Sequence, residues 1–249
     1  MLLLLPPSET KRPGGSARTL DLASLAFPEL TLQREEVVRA LVALSDDEEQ
    51  AARVLRLGPG RRGEVRANSE LVSAPTLPAI DRYTGVLYDA LDAASLPPAA
   101  RRWLGRHVVI HSAPFGPVGA LDRIPSYRLG AGISLPGLRP LTRLWSAPVS
   151  AAIAVRRSSF VLDLRSEAYV ALGPVPTGVR ATYLRVVSAE SDGRTRALNH
   201  FNKHAKGALV RRLAVDRPRV RTLDDLRTWA DASGVVLRSR GDGVTELVV

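Results

Sequence analysis

The hydrophobic positions along the chain follow two periods, one typical of helices and one typical of strands. Apolar residues at steps of three and four predict helices over residues 31–44, 45–57, 61–71, 79–94, 138–152, 199–213 and 223–232. Short apolar or alternating runs predict strands over residues 2–5, 108–110, 160–164, 182–188, 235–237 and 244–249. The residues at 191–194 are those of a hairpin turn. Helices and strands are interleaved without strict alternation.

This order of elements predicts an α+β or mixed α/β fold, in which helices flank a mixed sheet. We expect residues 1–249 to form a single domain, with residues 34–74 as a helical subdomain. With 45% hydrophobic and 24% charged residues, the composition is that of a globular protein. No cysteine is present, which excludes disulfides, cysteine-ligated metal sites and a thiol nucleophile.

No apolar run approaches the roughly 18 residues of a membrane span. The leucine run after Met1 lacks a basic leader and ends at Pro6, so it does not match a signal peptide. We therefore expect a cytoplasmic protein without a membrane partner. The sequence leaves the oligomeric state open.

The chain carries a large positive charge, formally +10. Residues 1–50 hold five basic and nine acidic side chains, whereas residues 200–221 hold seven basic side chains and one acidic. Such a surplus favours an anionic partner, either nucleic acid or a small phosphorylated molecule. The alternative is the arginine usage of a GC-rich genome, which explains the overall charge but not the local cluster.

A glycine turn between two predicted short helices forms the first candidate site. Residues 57–60 have the apolar-Gly-X-Gly pattern of a helix-hairpin-helix element. Gly58 and Gly60 would let backbone N–H groups approach a phosphate, and Arg61 and Arg62 would bind neighbouring phosphates. The alternative is an ordinary glycine at the end of a helix.

The predicted helix 199–213 forms the second candidate site. Lys203 and Lys206 lie opposite its apolar stripe, without acidic partners at i+4. Arg211 lies on a flank of the same helix. Gly207, in mid-helix, predicts close approach by another backbone or by a ligand.

His200 and His204 have the i,i+4 spacing of metal ligands on a helix. A third ligand is missing from the pattern, and the flanking cations oppose a divalent metal. The sequence therefore predicts no metal and no other cofactor.

Polar residues next to predicted turns form the third candidate site, because α/β proteins build clefts after their strands. They include four candidates for catalysis: Lys11, Tyr88, Asp122 and Tyr169. Tyr83, Tyr127 and Arg128 are candidates for anion or base binding. Phosphate-binding glycine loops and a nucleophile elbow are absent from the sequence.

Five segments carry a resemblance to a known family. They are Met1–Lys11, Tyr83–Tyr88, Asp122–Leu129, Leu162–Tyr169 and His200–Arg211. In this order they resemble the YaaA family of peroxide stress proteins, and they span nearly the whole chain. The segment Ala113–Ala120 departs from the family, since it lacks the arginine and the following proline that related sequences often have there.

The resemblance implies a cytosolic protein of mixed α/β build with a positively charged cleft. A helix-hairpin-helix element would map onto Ser45–Leu71. The family is associated with DNA binding and with survival of hydroperoxide stress, partly by limiting unincorporated iron, and no established reaction comes with it. The cleft cations would map onto Lys11, Arg128, Lys203, Lys206 and Arg211.

Two functions follow as hypotheses. The first is non-sequence-specific binding of duplex or distorted DNA by phosphate contacts, with Tyr83 or Tyr127 stacking on a base. The second is an enzyme for a small anionic substrate such as a nucleotide, with Lys11, Tyr88, Asp122, Arg128 and Tyr169 around its pocket. An open basic groove would favour the first, and an enclosed pocket the second.

Overall fold

The computed structural model describes residues 1–156, 158–187 and 195–249, with the backbone alone over residues 195–200. The strands in these ranges are β1 (Leu2–Leu5), β2 (Leu77–Pro78), β3 (Val108–Ser112), β4 (Gly116–Gly119), β5 (Arg123–Ile124), β6 (Val161–Asp163), β7 (Ala181–Val187), β8 (Leu237–Gly241) and β9 (Val244–Val248). The helices are α1 (Thr31–Leu44), α2 (Glu48–Val54), α3 (Glu64–Ser69), α4 (Ala79–Arg82), α5 (Val86–Leu91), α6 (Pro98–His107), α7 (Leu141–Val155), α8 (Glu167–Ala171), α9 (Thr195–Asp216) and α10 (Leu223–Ala232).

Seven strands form the main sheet, in the order β4-β3-β1-β6-β7-β9-β8. Strands β3, β1, β6, β7 and β9 pair in parallel, and β4 and β8 add antiparallel edges. Interior parallel strands are covered on both faces, which explains why β1 is an unbroken leucine run and why all four of its residues are buried. The protein therefore has the mixed α/β architecture that the sequence predicts, and the carboxyl ends of β3, β1 and β6 lie side by side.

Most predicted elements are present, and the exceptions have local causes. The predicted helix 79–94 is divided into α4 and α5, because Gly85 lies between them with φ of 93°. Strand β4 is not predicted, since its two glycines and Pro117 are poor strand formers. The pairing at the sheet edge tolerates them. The predicted turn 191–194 and Ser188, the last residue of the predicted strand 182–188, lie outside the described residues.

The region 34–74 contains α2 and α3, joined by a 3-10 turn over Pro59–Arg61. Asp47 caps α2, because its side chain accepts a hydrogen bond from the Gln50 N–H. The third helix is shorter than the predicted 61–71. Two short helices around a glycine turn are thus present, and a phosphate-binding role of this turn stays a prediction.

Two buried arginines hold loops together with no carboxylate partner among the described residues. Arg34 is fully buried and donates to four backbone carbonyls, two of which belong to Phe115 and Pro117. Arg82 is also fully buried and donates to the carbonyls of Arg12, Pro75 and Ile124. Hydrogen bonds to several carbonyls offset the cost of burying a guanidinium. Part of the positive charge therefore serves the fold and is not available to an anionic partner.

Helix α9 packs closely on α5 at Gly207. A Cβ at this position would lie 2.1 Å from the backbone oxygen of Leu87. The prediction that Gly207 marks a close backbone approach is confirmed. Because α9 carries Lys203 and Lys206, this contact also sets where those lysines lie.

We expect Gly207→Ala to lower the free energy of unfolding by about 2–4 kcal/mol, because α9 must move away from a rigid backbone atom. Urea denaturation measures the change. Gly105→Ala in α6 is the matched control, since the atoms nearest to its Cβ, at 2.6 and 3.0 Å, would belong to the Leu121 side chain, which is 40% exposed and can move aside. The control should change stability by less than about 1 kcal/mol. Equal losses in the two variants would contradict the packing account.

Candidate functional site

A cavity of about 950 Å³ opens at the carboxyl ends of β1 and β6. Its walls are the loop after β1, the first turn of α5, the start of α8, the middle of β7 and part of α9. Open α/β sheets usually bind ligands at this edge, because the loops that follow parallel strands diverge there. Three basic side chains line the cavity (Arg185, Lys203 and Lys206) against two acidic ones (Glu9 and Glu167).

The wall formed by α8 is fixed by Arg165, whose side chain is fully buried. Its guanidinium binds both carboxylate oxygens of Asp163, at 2.9 and 2.6 Å, and donates to the carbonyls of Tyr169 and Gly173. It also donates to Nδ1 of His111 at 2.9 Å. Burial and the Arg165 charge lower the pKa of His111, so the imidazole is neutral and accepts this hydrogen bond. The network joins β3, β6 and α8.

The loop after β1 covers a buried lysine. Lys11 Nζ donates to the carbonyls of Ser8 and Glu9, at 3.0 and 3.2 Å, and lies 4.1 Å from the ring centroid of Tyr127. The hydroxyl oxygens of Tyr127 and Tyr83 are 2.8 Å apart. Burial is the main cause that lowers the pKa of Lys11 to about 7, and the charge of Arg128 adds to it. Tyr83 and Tyr127 are buried, so neither ring is accessible for stacking in this conformation.

Four charged side chains form a rim cluster beside this loop: Glu9, Arg61, Glu64 and Arg128. Glu9 lies 3.2 Å from Arg128 and 3.6 Å from Arg61, and Glu64 contacts the same two arginines at 3.6 and 2.7 Å. Partial burial of Glu9 raises its pKa, but the charges of Arg128 and Arg61 outweigh this effect and lower the pKa. Arg61 of the glycine turn and Arg128 thus meet at Glu9, which lines the cavity, although neither arginine lines the cavity itself.

Helix α9 supplies the cations on the opposite wall. Lys203 is exposed, whereas Lys206 is partly buried. Lys206 Nζ donates to the carbonyl of Leu164 at 2.9 Å and lies 5.6 Å from the ring centroid of Tyr183. Burial lowers the pKa of Lys206 to about 8, although Asp163 opposes the shift. The amine therefore changes charge close to neutral pH.

Two of the predicted site residues have structural roles elsewhere. The carboxylate of Asp122 accepts hydrogen bonds from the N–H groups of Ala26 and Gly119, at 2.6 and 2.7 Å, and does not line the cavity. Arg211 donates to the carbonyls of Leu91 and Asp92 at the end of α5, at 2.9 and 2.8 Å. Arg211 thus joins α9 to the end of α5, whereas Asp122 joins β4 to the segment around Ala26, away from the cavity.

Other predicted residues lie at the cavity or near it. Tyr88 and Tyr169 line it, and the Tyr88 hydroxyl donates to the carbonyl of Pro6. The turn over Pro59–Arg61 and its neighbours are open to solvent, with Gly58, Gly60 and Arg62 exposed. The segment Ala113–Ala120, where the chain departs from its relatives, forms β4 and the turn before it.

The histidines of α9 do not form a metal site in the described structure. The side chain of His200 lies outside the described residues. His204 lines a separate apolar groove of about 340 Å³ beside β9, together with Phe201. Phe201 is 65% exposed, whereas Leu209 is buried. The apolar stripe predicted on the helix 199–213 is therefore buried at Leu209 but not at Phe201. Within the described ranges, no group of three His, Asp or Glu side chains is placed to hold a metal ion.

Sequence reasoning did not find Arg185 or Asn202, which also line the cavity. Arg185 is an ordinary exposed position in an alternating strand, and only the β6-β7 pairing places it next to the site. None of the helices in the described parts of the chain is long and apolar enough to cross a membrane.

The low pKa of Lys11 can be measured directly, because the chain has only three lysines (Lys11, Lys203 and Lys206). We expect ¹³C NMR of protein labelled at lysine Cε to give three signals. The Lys11 signal should titrate near pH 7 and the Lys206 signal near pH 8, since burial disfavours each ammonium ion. Lys203→Arg and Lys206→Arg variants assign the signals. A Lys11 signal that titrates near pH 10 would contradict the buried position.

Comparison with known proteins gives consistent matches over most of the chain. The family model for the peroxide stress protein YaaA matches residues 1–238. The UPF0246 protein of Corynebacterium efficiens is 45% identical over 241 residues, which cover 95% of this chain and 94% of that protein. The UPF0246 protein of Streptomyces coelicolor is 46% identical over 218 residues, or 86% of this chain and 82% of that protein.

The family match confirms the resemblance that the five segments carry. The family model covers nearly the whole chain, and relatives are identical to it at almost half of the aligned positions. The chain therefore belongs to the YaaA family of peroxide stress proteins.

Proposed function

We propose that the protein acts in the response to hydroperoxide stress by binding DNA through phosphate contacts, without reading its sequence. One observation supports this proposal: two groups of cations from separate parts of the chain lie near a single cavity, one in its wall and one beside the loop after β1. Lys203 and Lys206 line one wall, and Arg61 and Arg128 meet at Glu9 on the other. Grouped cations favour a polyanion because each bound phosphate releases counterions from the DNA.

The rim cluster implies that DNA binding is an exchange of partners. Arg61 and Arg128 are paired with Glu9 and Glu64 before DNA arrives. A phosphate can take the place of the exposed Glu9 carboxylate, whose side chain is 72% exposed. The Glu9–Arg61 pair is exposed on both sides, and such pairs contribute little to stability, so exchanging this pair costs little.

The glycine turn supports a second set of contacts with DNA. Gly58 and Gly60 are exposed, and no atom lies within 4 Å of the position that a Cβ would take at either residue. A phosphate can therefore approach the backbone N–H groups closely, as a helix-hairpin-helix element requires. Arg62, also exposed, is available to the next phosphate.

The second candidate function is an enzyme for a small anionic substrate in the same cavity. The cavity volume of about 950 Å³ favours it, together with the Lys206 amine, whose pKa near 8 suits proton transfer at neutral pH. Tyr88 and Tyr169 would then contact the substrate, whereas Asp122 is too far from the cavity to do so.

Salt dependence tests the phosphate contacts. Six contacts, from Arg61, Arg62, Arg128, Arg185, Lys203 and Lys206, predict a log–log slope of about −5 for duplex DNA. We expect Lys203→Ala to make this slope shallower by about 0.9, because one phosphate contact is lost. Fluorescence anisotropy of a labelled duplex at several salt concentrations measures both values.

Arg240→Ala is the control for that experiment, since Arg240 is exposed on the β8–β9 hairpin. Its slope should equal that of the unchanged protein. A salt-independent affinity, or no binding at about 50 mM salt, would refute the proposal.

Glu9→Gln tests the exchange of partners. Removing this carboxylate leaves Arg61 and Arg128 paired with Glu64 alone, so we expect about threefold to tenfold tighter binding of the same duplex at low salt. Glu36→Gln makes the same charge change in an exposed pair with Arg139 and should have a smaller effect. Equal effects of the two variants would show that only net charge matters and would count against a role of the rim cluster.

A further inference from the structure

All five tyrosines of the chain lie at one end of the sheet. Tyr88, Tyr169 and Tyr183 line the cavity, and Tyr83 and Tyr127 lie beneath it, in contact with Tyr88 or Lys11. The Tyr83 and Tyr88 ring centroids are 5.2 Å apart. Tyr83, Tyr88 and Tyr127 are buried, whereas Tyr169 and Tyr183 are partly exposed to the cavity. A binding site for phosphate alone needs no aromatic wall, so these two rings indicate a ligand with a flat apolar part.

The aromatic wall adjoins the cationic wall. Lys206 Nζ lies 5.6 Å from the ring centroid of Tyr183, and Lys203 and Arg185 line the same part of the cavity. An aromatic face next to cations matches a ligand that joins a ring to an anionic group over a short distance. A nucleotide has this chemistry, with a base that stacks and a phosphate that pairs.

The cavity also offers polar atoms that can pair with the edge of a base. The Oδ1 atom of Asn202 is buried and has no hydrogen-bond partner within the described residues. An amide side chain presents both a donor and an acceptor, which is the pairing that base edges require. The hydroxyls of Ser8 and Ser166 line the cavity as well.

The volume of the cavity fits a nucleotide. Pockets for small organic molecules measure roughly 300–1,000 Å³, and the cavity of about 950 Å³ lies at the upper end of that range. It is large enough for one nucleotide and too small for a stretch of duplex. The phosphates of the neighbouring nucleotides would remain outside, near the rim cluster.

We propose that the cavity binds one unstacked nucleotide, with its base against Tyr169 and Tyr183 and its phosphate between Lys203 and Lys206. This inference rests on the proposed function and makes it more specific. Two sources supply the same chemistry: a nucleotide extruded from DNA, which is easiest at an unpaired position, or a free nucleotide.

The test compares two labelled duplexes of equal length, one fully matched and one with a single unpaired nucleotide. We expect about tenfold tighter binding of the second, as base–aromatic contact adds to the phosphate contacts. Titration with deoxyadenosine 5′-monophosphate, followed by calorimetry, tests whether the cavity binds a free nucleotide.

Ala168→Trp fills the cavity from an exposed position on α8. It should abolish the preference for the unpaired nucleotide, so that the two duplexes bind with equal affinity. Ala171→Trp, exposed on the same helix but not lining the cavity, is the matched control and should keep the preference.

The outcomes separate the two proposals. Equal binding of both duplexes, unaffected by Ala168→Trp and without mononucleotide binding, overturns the nucleotide pocket and leaves phosphate binding of DNA in place. Mononucleotide binding without DNA binding overturns the DNA proposal and supports the pocket with a free nucleotide. Binding of neither overturns both.

Discussion

The buried guanidinium of Arg165 fixes the elements around the cavity. It binds Asp163 at the end of β6, His111 on β3 and two carbonyls in and after α8. Because β3 and β6 flank β1, these contacts bridge the carboxyl end of the leucine strand. Removing one partner from a buried ion pair costs about 3–5 kcal/mol, so the wall that carries Tyr169 depends on this pair.

The loop after β6 connects the sheet to α9. Leu164, between Asp163 and Arg165, accepts a hydrogen bond from Lys206, and Gly207 lets α9 approach α5. The cationic helix is therefore held by a carbonyl from the sheet and by a backbone contact with α5. A rigid position of this kind presents charge to a ligand without a further cost of ordering.

The net charge of +10 is a poor guide to the surface that a partner meets. Arg34, Arg82 and Arg165 are buried in the fold, and Arg211 is used at the end of α5. The cations that remain near the cavity are partly neutralised by Glu9 and Glu64. The proposal of an anionic partner therefore rests on where the remaining cations lie, not on their number.

Local patterns predicted much of the fold, because periodicity and end signals are local. The leucine strand, the start of α1 and both ends of α10 follow from such signals. Strand order is not local, so the sequence could not show that β7 brings Arg185 beside the loop after β6. Asp122 looked like a catalytic carboxylate beside a turn. Its partner, the Ala26 N–H, lies 96 residues away in the chain, and no pattern reveals it.

The central claim is that DNA phosphates occupy the space between the rim cluster and α9. A crystal structure of the protein with a short duplex that carries one unpaired nucleotide tests it most directly. The account predicts phosphate oxygens within hydrogen-bond distance of Lys203 and Arg61, with Glu9 displaced and the unpaired base inside the cavity. DNA bound on another face, with the rim cluster intact and the cavity empty, would contradict it.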